Sequence, residues 1–343
     1  MVSGWEGHDK RLFERERQTV INQNADRVVI ATASEEEWLK LRADDLTSTD
    51  MAALFGLSPR MTPYELWHRK HNKTIGEFEE SERMKWGTRL QDSIAAGIAE
   101  DEGWEIQRYE QYQRIKGLRL GSSFDFFCYA PEVNDPPTAK DGLIHDFILE
   151  IKNVDSLAFK QGWVEDEQGN LEAPLHIEIQ VQHQLLVSGL SKAFIGALVG
   201  GNRVVLIERK ADPAVHESII AKAKEFWRTI DANEEPKPDF KRDADFIKSL
   251  YQSAEPGTVM TATDRIIELA TAYKSVSEII KRHDETKAGY KAEILTLIGD
   301  VEKVKGEMFT ISAGLTGPAH IEAYERAGFR NFKVTFKKEP KNA

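Results

Sequence analysis

The sequence predicts an α/β or α+β core, built on a mixed sheet flanked by helices, and a helical extension that follows it. Short apolar runs alternate with amphipathic helical patterns between residues 34 and 233, which is typical of a sheet covered by helices. A polar stretch rich in Pro and Glu at 234–239 then precedes a long segment with helical periodicity. The 343 residues are enough for a core of ~200 residues and a second unit.

The composition is that of an ordinary globular protein, with 41% hydrophobic and 30% charged residues. No apolar run approaches the ~20 residues of a membrane span, and the first residues lack the apolar stretch of a signal peptide. The single cysteine, Cys128, excludes an intrachain disulfide and a cysteine-based zinc cluster. We therefore expect a cytoplasmic protein with no membrane partner. The net charge of −11 disfavours general coating of DNA, but an enzyme acting on DNA needs only a local basic groove.

The first part of the chain contains several helix-start signals. Residues 1–33 lack a clear period apart from the apolar run Arg27–Ala31, so we expect an N-terminal arm or an edge strand. Ser34 and Glu37 have the spacing of a capping box and open a helix through Arg42. Three more helices are expected: a short one capped by Asp50 and ending near Gly56, one starting at Thr62–Pro63, and a long one over about 78–101.

The middle of the chain alternates strand and helix signals. Strands are expected at about 104–111, 117–130, 143–153, 192–199 and 202–209, and helices at about 156–162, 175–189 and 213–230. The Pro-, Asp- and Gly-rich stretch 131–142 is predicted to be a long hairpin loop.

Asp125 and the strand carrying Glu150 and Lys152 suggest a metal site. Residues two apart in a strand point to one face, so Glu150 and Lys152 would lie together with Asp146 and Ile148, opposite Phe147, Leu149 and Ile151. A neighbouring strand with Asp125 on that face would bring two carboxylates and an ammonium together. Hard oxygen ligands hold Mg²⁺ for phosphodiester cleavage, and a lysine helps place or deprotonate the attacking water. A solvated strand end with a surface Glu/Lys pair explains the same residues equally well.

The helix at 175–189 carries four uncharged hydrogen-bonding side chains, where Glu and Lys are expected on a solvent face. They are His176, Gln180, His183 and Gln184. Such a row suits a wall beside a phosphate or a metal-bound water. An ordinary polar face or an interface is the alternative interpretation.

Five sequence blocks occur in one order across residues 34–230. They are Trp38–Arg42 with Thr47–Asp50, then Trp86-Gly87, Gly121–Asp125, Leu149–Lys152 and Gln180–Leu185. Together they resemble the lambda-type alkaline exonucleases, also called YqaJ-like viral recombinases, of the PD-(D/E)xK nuclease superfamily. The resemblance implies a restriction-endonuclease-like core at 34–233 in a bacterial or phage-infected cell.

The resemblance also implies roles for individual residues. Asp125 and Glu150 would ligate one or two Mg²⁺ ions, for which Mn²⁺ could substitute, with the Ile151 carbonyl as a further ligand. Lys152 would orient the water, and Gln180 would lie near the metal. The 5′-terminal phosphate would be bound by Arg42 and Thr49, and the further candidates for contact with DNA are Ser48, His183 and Gln184.

Two positions depart from the family pattern. Phe124 stands where a proline usually precedes the acid, which the strand tolerates. Gln91 stands where the family usually has a glutamate that helps hold the second metal, so Gln91 is the doubtful candidate of the metal set. The neighbouring Asp92 would lie about 100° round the helix.

The implied activity is Mg²⁺-dependent 5′-to-3′ exonuclease action on double-stranded DNA ends, leaving 3′ single strands for recombination. The implied partners are a single-strand annealing recombinase and further copies of the chain in a ring-shaped trimer. Two alternatives remain: a PD-(D/E)xK endonuclease of restriction or repair type, and a weakened nuclease fold that binds DNA ends or protein.

Residues 241–343 are expected to form a coiled-coil-like helical extension with a small β hairpin. Apolar residues recur from Ile266 to Val301 at alternating spacings of three and four, with His283 and Lys287 in the same register. The segment is either a helix packed on its own domain or an arm for oligomers or partners. The hairpin strands are expected at Met308–Ile311 and Phe332–Phe336, and the basic end beyond Arg330 is either a DNA contact or a solvated tail.

Overall fold

The computed structural model describes residues 26–73, 81–130, 146–165, 167 and 170–317, and the chain divides into two compact units after Phe246. The described elements are β1 (Arg27–Ala31), α1 (Glu35–Asp44), β2 (Leu46–Thr47), α2 (Ser48–Leu54), α3 (Pro63–His71), α4 (Glu82–Glu102), β3 (Glu105–Arg108), β4 (Gln111–Ile115), a 3-10 turn (Lys116–Leu118), β5 (Leu120–Ser122), β6 (Phe126–Tyr129), β7 (Phe147–Val154), α5 (Ser156–Gly162), β8 (Val164–Glu165), β9 (Leu171–Glu172), α6 (Leu175–Ser188), β10 (Lys192–Val199), β11 (Arg203–Lys210), α7 (Pro213–Asp231), α8 (Ala244–Leu250), α9 (Asp264–Ile298), β12 (Lys303–Lys305) and β13 (Thr310–Ser312).

The first unit is built on a mixed sheet, as the sequence predicts. Its described strands follow the order β11-β10-β7-β6-β3. β10 runs parallel to β7, and the other neighbours are antiparallel. The predicted loop 131–142, which joins β6 to β7, lies outside the described residues.

Apolar side chains pack against both faces of β7, so its successive residues belong alternately to two apolar clusters. Phe147, Leu149 and Ile151 pack in one cluster with the α4 residues Ile94 and Ile98. On the opposite face, Ile148 belongs to the larger cluster that includes Val181 and Leu185 of α6. Glu150 and Lys152 share this α6 side, so the predicted division of β7 into two faces is confirmed.

A second, four-stranded sheet has the described order β1-β4-β5-β2. The expected edge strand at Arg27–Ala31 is confirmed, since β1 pairs only with β4 among the described strands. The single strand predicted at 117–130 is wrong: β5 belongs to this sheet and β6 to the larger one. Arg119, with φ of 49°, ends the 3-10 turn before β5, and residues 123–125 carry the chain from one sheet to the other.

Helix starts follow the predicted capping residues with one correction. Ser34 caps α1 and Thr62 caps α3, where Pro63 is the first helical residue. Asp50, however, does not cap α2. Thr47 is the N-cap, and Asp50 completes a capping box from the third helical position because its carboxylate accepts from the Thr47 backbone N–H.

The polar stretch 234–239 contacts helix α3 within the first unit. The hydroxyl of Tyr64 on α3 donates to Glu235 over 2.6 Å. Asp243 is buried and accepts hydrogen bonds from the Thr62 hydroxyl and from the Asp239 backbone N–H. Phe246 lies with its ring centroid 5.6 Å from that of His68. Both the stretch and the start of α8 therefore belong to the packing of the first unit.

The second unit contains the long helix α9 and one small antiparallel pair of strands. α9 has 35 residues, none of them buried, and Gly299 is its C-cap. β13 overlaps the predicted strand Met308–Ile311, but it pairs with β12, and the expected strand Phe332–Phe336 lies outside the described residues. Among the described helices of both units, none is long and apolar enough to cross a membrane.

Candidate functional site

The two predicted acids lie close together, Glu150 on β7 and Asp125 in the loop just before the neighbouring strand β6. Asp125 immediately precedes β6, which pairs with β7 so that Phe126 faces Leu149. The Asp125 carboxylate accepts a 2.8 Å hydrogen bond from the backbone N–H of Ile151, between Glu150 and Lys152. The loop that leaves the small sheet at Ser122 therefore places Asp125 against the strand that carries the other predicted site residues.

Glu150 is held by three side chains. Its side chain is nearly inaccessible to solvent, with the residue 3% exposed. Oε1 accepts from Lys152 Nζ and from Gln180 Nε2, each at 2.6 Å, and Oε2 accepts from Gln184 Nε2 at 2.7 Å. Gln180 Oε1 also accepts from Lys152 Nζ at 3.1 Å. Glu150, Lys152, Gln180 and Gln184 thus form one network between β7 and α6.

Asp125 and Lys152, the charged groups beside Glu150, have shifted pKa values. Burial raises the pKa of Asp125 to about 7, and the nearby charge of Glu150 adds to the rise, whereas Lys152 and the Ile151 N–H oppose it. Burial by itself would lower the pKa of Lys152, but Glu150 and Asp125 outweigh it and the pKa rises. Lys152 is therefore a cation at neutral pH, and it interacts electrostatically with both carboxylates.

Gln91 contacts the site that the sequence assigned to it. Its side chain hydrogen-bonds to Asp125 and lowers the pKa of that carboxyl. The neighbouring Asp92 is turned to the surface, where it forms an ion pair with Arg108. The helix position therefore supplies a neutral amide to the acid pair, and Asp92 does not replace the missing carboxylate.

The residues present fit one hard divalent cation. Asp125 and Glu150 supply carboxylate oxygens in a partly buried site, and their mutual repulsion would be relieved by a positive ion. Within the described part of the chain, no group of three or more His, Cys, Asp or Glu side chains is arranged to hold a metal. A second ion would accordingly need ligands from outside this set.

A second group of predicted residues lies beside the Asp125 loop. The guanidinium of Arg42 stands 4.5 Å from the ring centroid of Trp38 and donates to the Thr49 hydroxyl at 3.3 Å. Trp38 Nε1 in turn donates to the Ser123 hydroxyl at 2.8 Å, two residues before Asp125. α1 therefore contacts the Asp125 loop through Trp38, and α2 contacts α1 through Thr49 and Arg42.

Lys70 of α3 supports the backbone at Arg42 through hydrogen bonds. It was not among the residues predicted from the sequence. Its buried ammonium donates to the backbone carbonyls of Arg42 and Asp45, at 2.7 and 2.6 Å, and pairs with Asp50 at 2.7 Å. Burial raises the pKa of Asp50, but Lys70 and Arg42 outweigh that effect and the pKa is lowered. The only sequence signal is a lysine four residues after Leu66, on the apolar side of α3.

The remaining DNA-binding candidates are distributed differently. Gln184 faces Glu150, whereas Ser48 is buried at the start of α2. His183 is fully buried, neither ring nitrogen has a hydrogen-bond partner among the described residues, and burial lowers its pKa to about 3. The polar row on α6 is therefore split: Gln180 and Gln184 face Glu150, while the His183 ring has no access to solvent or DNA.

Part of this chain is similar to a known protein family. Residues 37–191 match the model of the YqaJ-like viral recombinase domain, a range that includes Arg42, Asp125, Glu150, Lys152 and Gln180. The protein YqaJ of Bacillus subtilis (strain 168) is 27% identical over 271 residues, which cover 76% of this chain and 78% of YqaJ.

Several solved structures are similar to this chain over part of its length. The alkaline exonuclease LHK-Exo from Laribacter hongkongensis is 16% identical, with a TM-score of 0.44, over 62% of this chain and 99% of that one. A phage-related exonuclease from Haemophilus somnus 129PT is 8% identical, with a TM-score of 0.36, over 55% and 96%. Similarity at this level does not extend to activity.

Proposed function

We propose that this YqaJ-like protein is a Mg²⁺-dependent exonuclease that binds double-stranded DNA ends and degrades the 5′-ended strand, leaving a 3′ single strand. The observation that carries the proposal is the meeting of two groups at residues 123–125. The acid pair with Lys152 is suited to phosphodiester hydrolysis, and Arg42 with Thr49 is suited to a terminal phosphate. A nuclease that attacks internal bonds has no use for the second group.

Each side chain has a defined task in this proposal. Bound Mg²⁺ would neutralise phosphate charge and lower the pKa of a water molecule. Asp125 and Glu150 would hold the ion, with the Ile151 carbonyl as a further ligand. Gln180 and Gln184 keep Glu150 in one orientation through their hydrogen bonds. Lys152, anchored between Glu150 and Gln180, would orient the attacking water and stabilise the charge that develops on the phosphate.

Arg42 would determine polarity. Its guanidinium is planar and presents paired donors, which match the oxygens of a terminal phosphate. Stacking on Trp38 and the bond to Thr49 limit its orientation, and Lys70 fixes the backbone on which it is carried. Trp38 links Arg42 to Ser123, two residues before Asp125, so a 5′-phosphate bound there would lie on the side of the Asp125 loop.

The proposed partners follow from the product. A 3′ single strand is the substrate of a single-strand annealing recombinase, and a ring-shaped trimer would retain one duplex through many cycles. Size-exclusion chromatography with light scattering tests the trimer, and co-purification with a single-strand annealing recombinase tests the other partner.

The activity test uses linear duplexes with 5′-phosphate or 5′-hydroxyl ends and a closed circle, with and without Mg²⁺. We expect the 5′-phosphorylated strand to be degraded only with Mg²⁺, and Lys152→Ala to reduce the rate at least a hundredfold. Lys210→Ala is the matched control, because Lys210 follows a glutamate by two residues at the end of β11 but its side chain is 82% exposed. A Lys152→Ala protein that cuts at the parental rate refutes the site.

The same substrates test the phosphate clamp. Arg42→Ala should remove the preference for 5′-phosphate over 5′-hydroxyl ends while leaving slow cleavage of both. Arg69→Ala, which removes an arginine that pairs with Glu65 on the surface of α3, should keep the preference. Cleavage of closed circles would instead indicate an endonuclease. Inertness of every substrate would indicate the binding module that Gln91 favours.

A further inference from the structure

α9 presents an apolar stripe that no described residue buries. Apolar residues recur on α9 at alternating spacings of three and four, and Tyr273 continues their register. The exposed members are Ile266, Leu269, Val276, Ile280, Tyr290, Ile294 and Leu297, with exposures from 37% to 78%. A helix of 35 residues is about 52 Å long. Helices of this kind owe most of their stability to packing of the apolar face, so the stripe indicates a binding partner.

The spacing specifies the shape of that partner. A seven-residue repeat maintained along a helix keeps one seam facing a second helix in a left-handed coiled coil. The centre of the seam is polar, because His283 and Lys287 occupy the two positions between Ile280 and Tyr290. A partner helix must therefore be apolar at both ends and polar in the middle.

We propose that the partner is α9 of a second copy of the chain, packed antiparallel about a two-fold axis at Glu285. In this register Ile280 of one copy faces Tyr290 of the other, and Val276 faces Ile294. Tyr273 likewise faces Leu297, and His283 faces Lys287. Apolar positions meet apolar positions along the whole overlap, and polar positions meet only each other.

Charge selects the antiparallel arrangement over the parallel one. In a parallel pair each seam residue meets its own copy, so Lys287 would face Lys287, a like-charge contact that is destabilising. In the antiparallel pair, Asp284 lies on the same side of the interface as Lys287 of the second copy and one residue away along the axis. The centre then contains two lysines and two aspartates, which compensate one another.

The pairing is tested by charge exchange between two separately purified full-length proteins. Asp284→Lys and Lys287→Glu each place like charges at the centre, and each alone should weaken α9 association by at least about tenfold in dissociation constant. Mixing the two variants restores opposite charges across the interface but not within either helix. We therefore expect association to recover only in the mixture, measured by sedimentation equilibrium.

A matched control exchanges charges away from the seam. Glu278→Lys and Lys281→Glu have the same spacing on the outer side of α9, and neither should change association. If the first unit forms the proposed trimer, α9 pairing joins trimers into larger assemblies and the seam variants return them to trimers. Otherwise the seam variants convert a dimer to a monomer. The change in association is measured without nuclease activity, so its failure is distinguishable from failure of the nuclease proposal. Parental association of both seam variants, or no recovery in the mixture, overturns the pairing.

Cysteine cross-linking determines the direction. Ile280→Cys and Tyr290→Cys, introduced into different copies and mixed under mild oxidation, should form a disulfide between the two copies. Ile280→Cys alone should cross-link poorly. Efficient cross-linking of Ile280→Cys to itself would show a parallel pair and overturn the register. No cross-link in either case would show that another part of the chain or another protein covers the stripe. Cys128 is buried and common to all samples.

Discussion

At the scale of single residues, the site depends on which groups replace the lost hydration of its buried carboxylates. Removing an ionised carboxylate from water is costly unless hydrogen bonds or opposite charge replace the lost hydration. Glu150 has three such donors, one cationic and two amide, whereas Asp125 has the Ile151 N–H and Gln91. Burial therefore raises the pKa of Asp125 to about 7, because these two donors and Lys152 offset only part of the lost hydration.

His183 provides a test of stability against pH. Burial lowers its pKa from 6.5 to about 3, with a smaller opposing effect of Asp50 and a small reinforcing effect of His216. Between these values the unfolded chain binds a proton that the folded chain does not, so stability falls as pH falls from about 6.5 toward 3. At pH 5 the loss from this residue is about 2 kcal/mol.

His183→Leu removes this titration. Its ring nitrogens have no hydrogen-bond partner among the described residues, so an apolar side chain of similar size should cost little at pH 7. Urea denaturation at pH 7 and pH 5 should show a smaller loss on acidification for the variant than for the parent. An identical loss in both proteins would show that other groups cause the acid sensitivity.

At the scale of elements, β5 connects the proposed phosphate-binding residues to the acid pair. Gly121 on β5 allows Tyr112 and Asp45 to approach the strand, since an added Cβ would lie 1.9 Å from Tyr112 Oη and 2.7 Å from Asp45 Oδ2. Tyr112 and Asp45 are fully buried, and Asp45 pairs with Arg114 at 2.6 Å. The side chains around Gly121 therefore have little room to move.

Gly121→Ala should lower the free energy of unfolding by about 1–3 kcal/mol, because the methyl group overpacks this region. The variant should also reduce cleavage more than its stability predicts, since β5 leads directly to Asp125. Gly97→Ala is the matched control. Gly97 lies on an exposed face of α4 with nothing within 4 Å of an added Cβ, so alanine should stabilise by about 0.5–1 kcal/mol. Equal stability of the two variants in urea would contradict the role assigned to Gly121.

At the scale of the whole molecule, truncation tests where the first unit ends. A chain ending at Ala254 keeps the contacts of Glu235, Asp243 and Phe246 with α3, and we expect it to unfold cooperatively with the parental midpoint. A chain ending at Asn233 loses those contacts and exposes Thr62, and it should be at least about 1–3 kcal/mol less stable. Differential scanning calorimetry of both chains provides the measurement. Equal midpoints would place the boundary at 233, the end of the core expected from the sequence.

Much of the site could be read from local pattern. Period-two alternation places Glu150 and Lys152 on one face of β7, and the capping rules locate the starts of α1 and α3. The strand predicted at 117–130 failed because the local pattern does not show that the chain changes sheets at residues 123–125. Asp50 was misassigned as an N-cap because Thr47 and Asp50 both fit that role locally, and only the hydrogen bonds distinguish them.

The sequence by itself determined which side chains carry charge, which strand face they share and where most helices begin, because these depend on residues a few positions apart. Only the tertiary structure decided that Trp38 reaches Ser123, that Lys70 supports Arg42, and that His183 is buried while Gln184 faces Glu150. Such contacts join residues far apart in the chain, and the packing of α1, α3 and α6 around the sheets creates them.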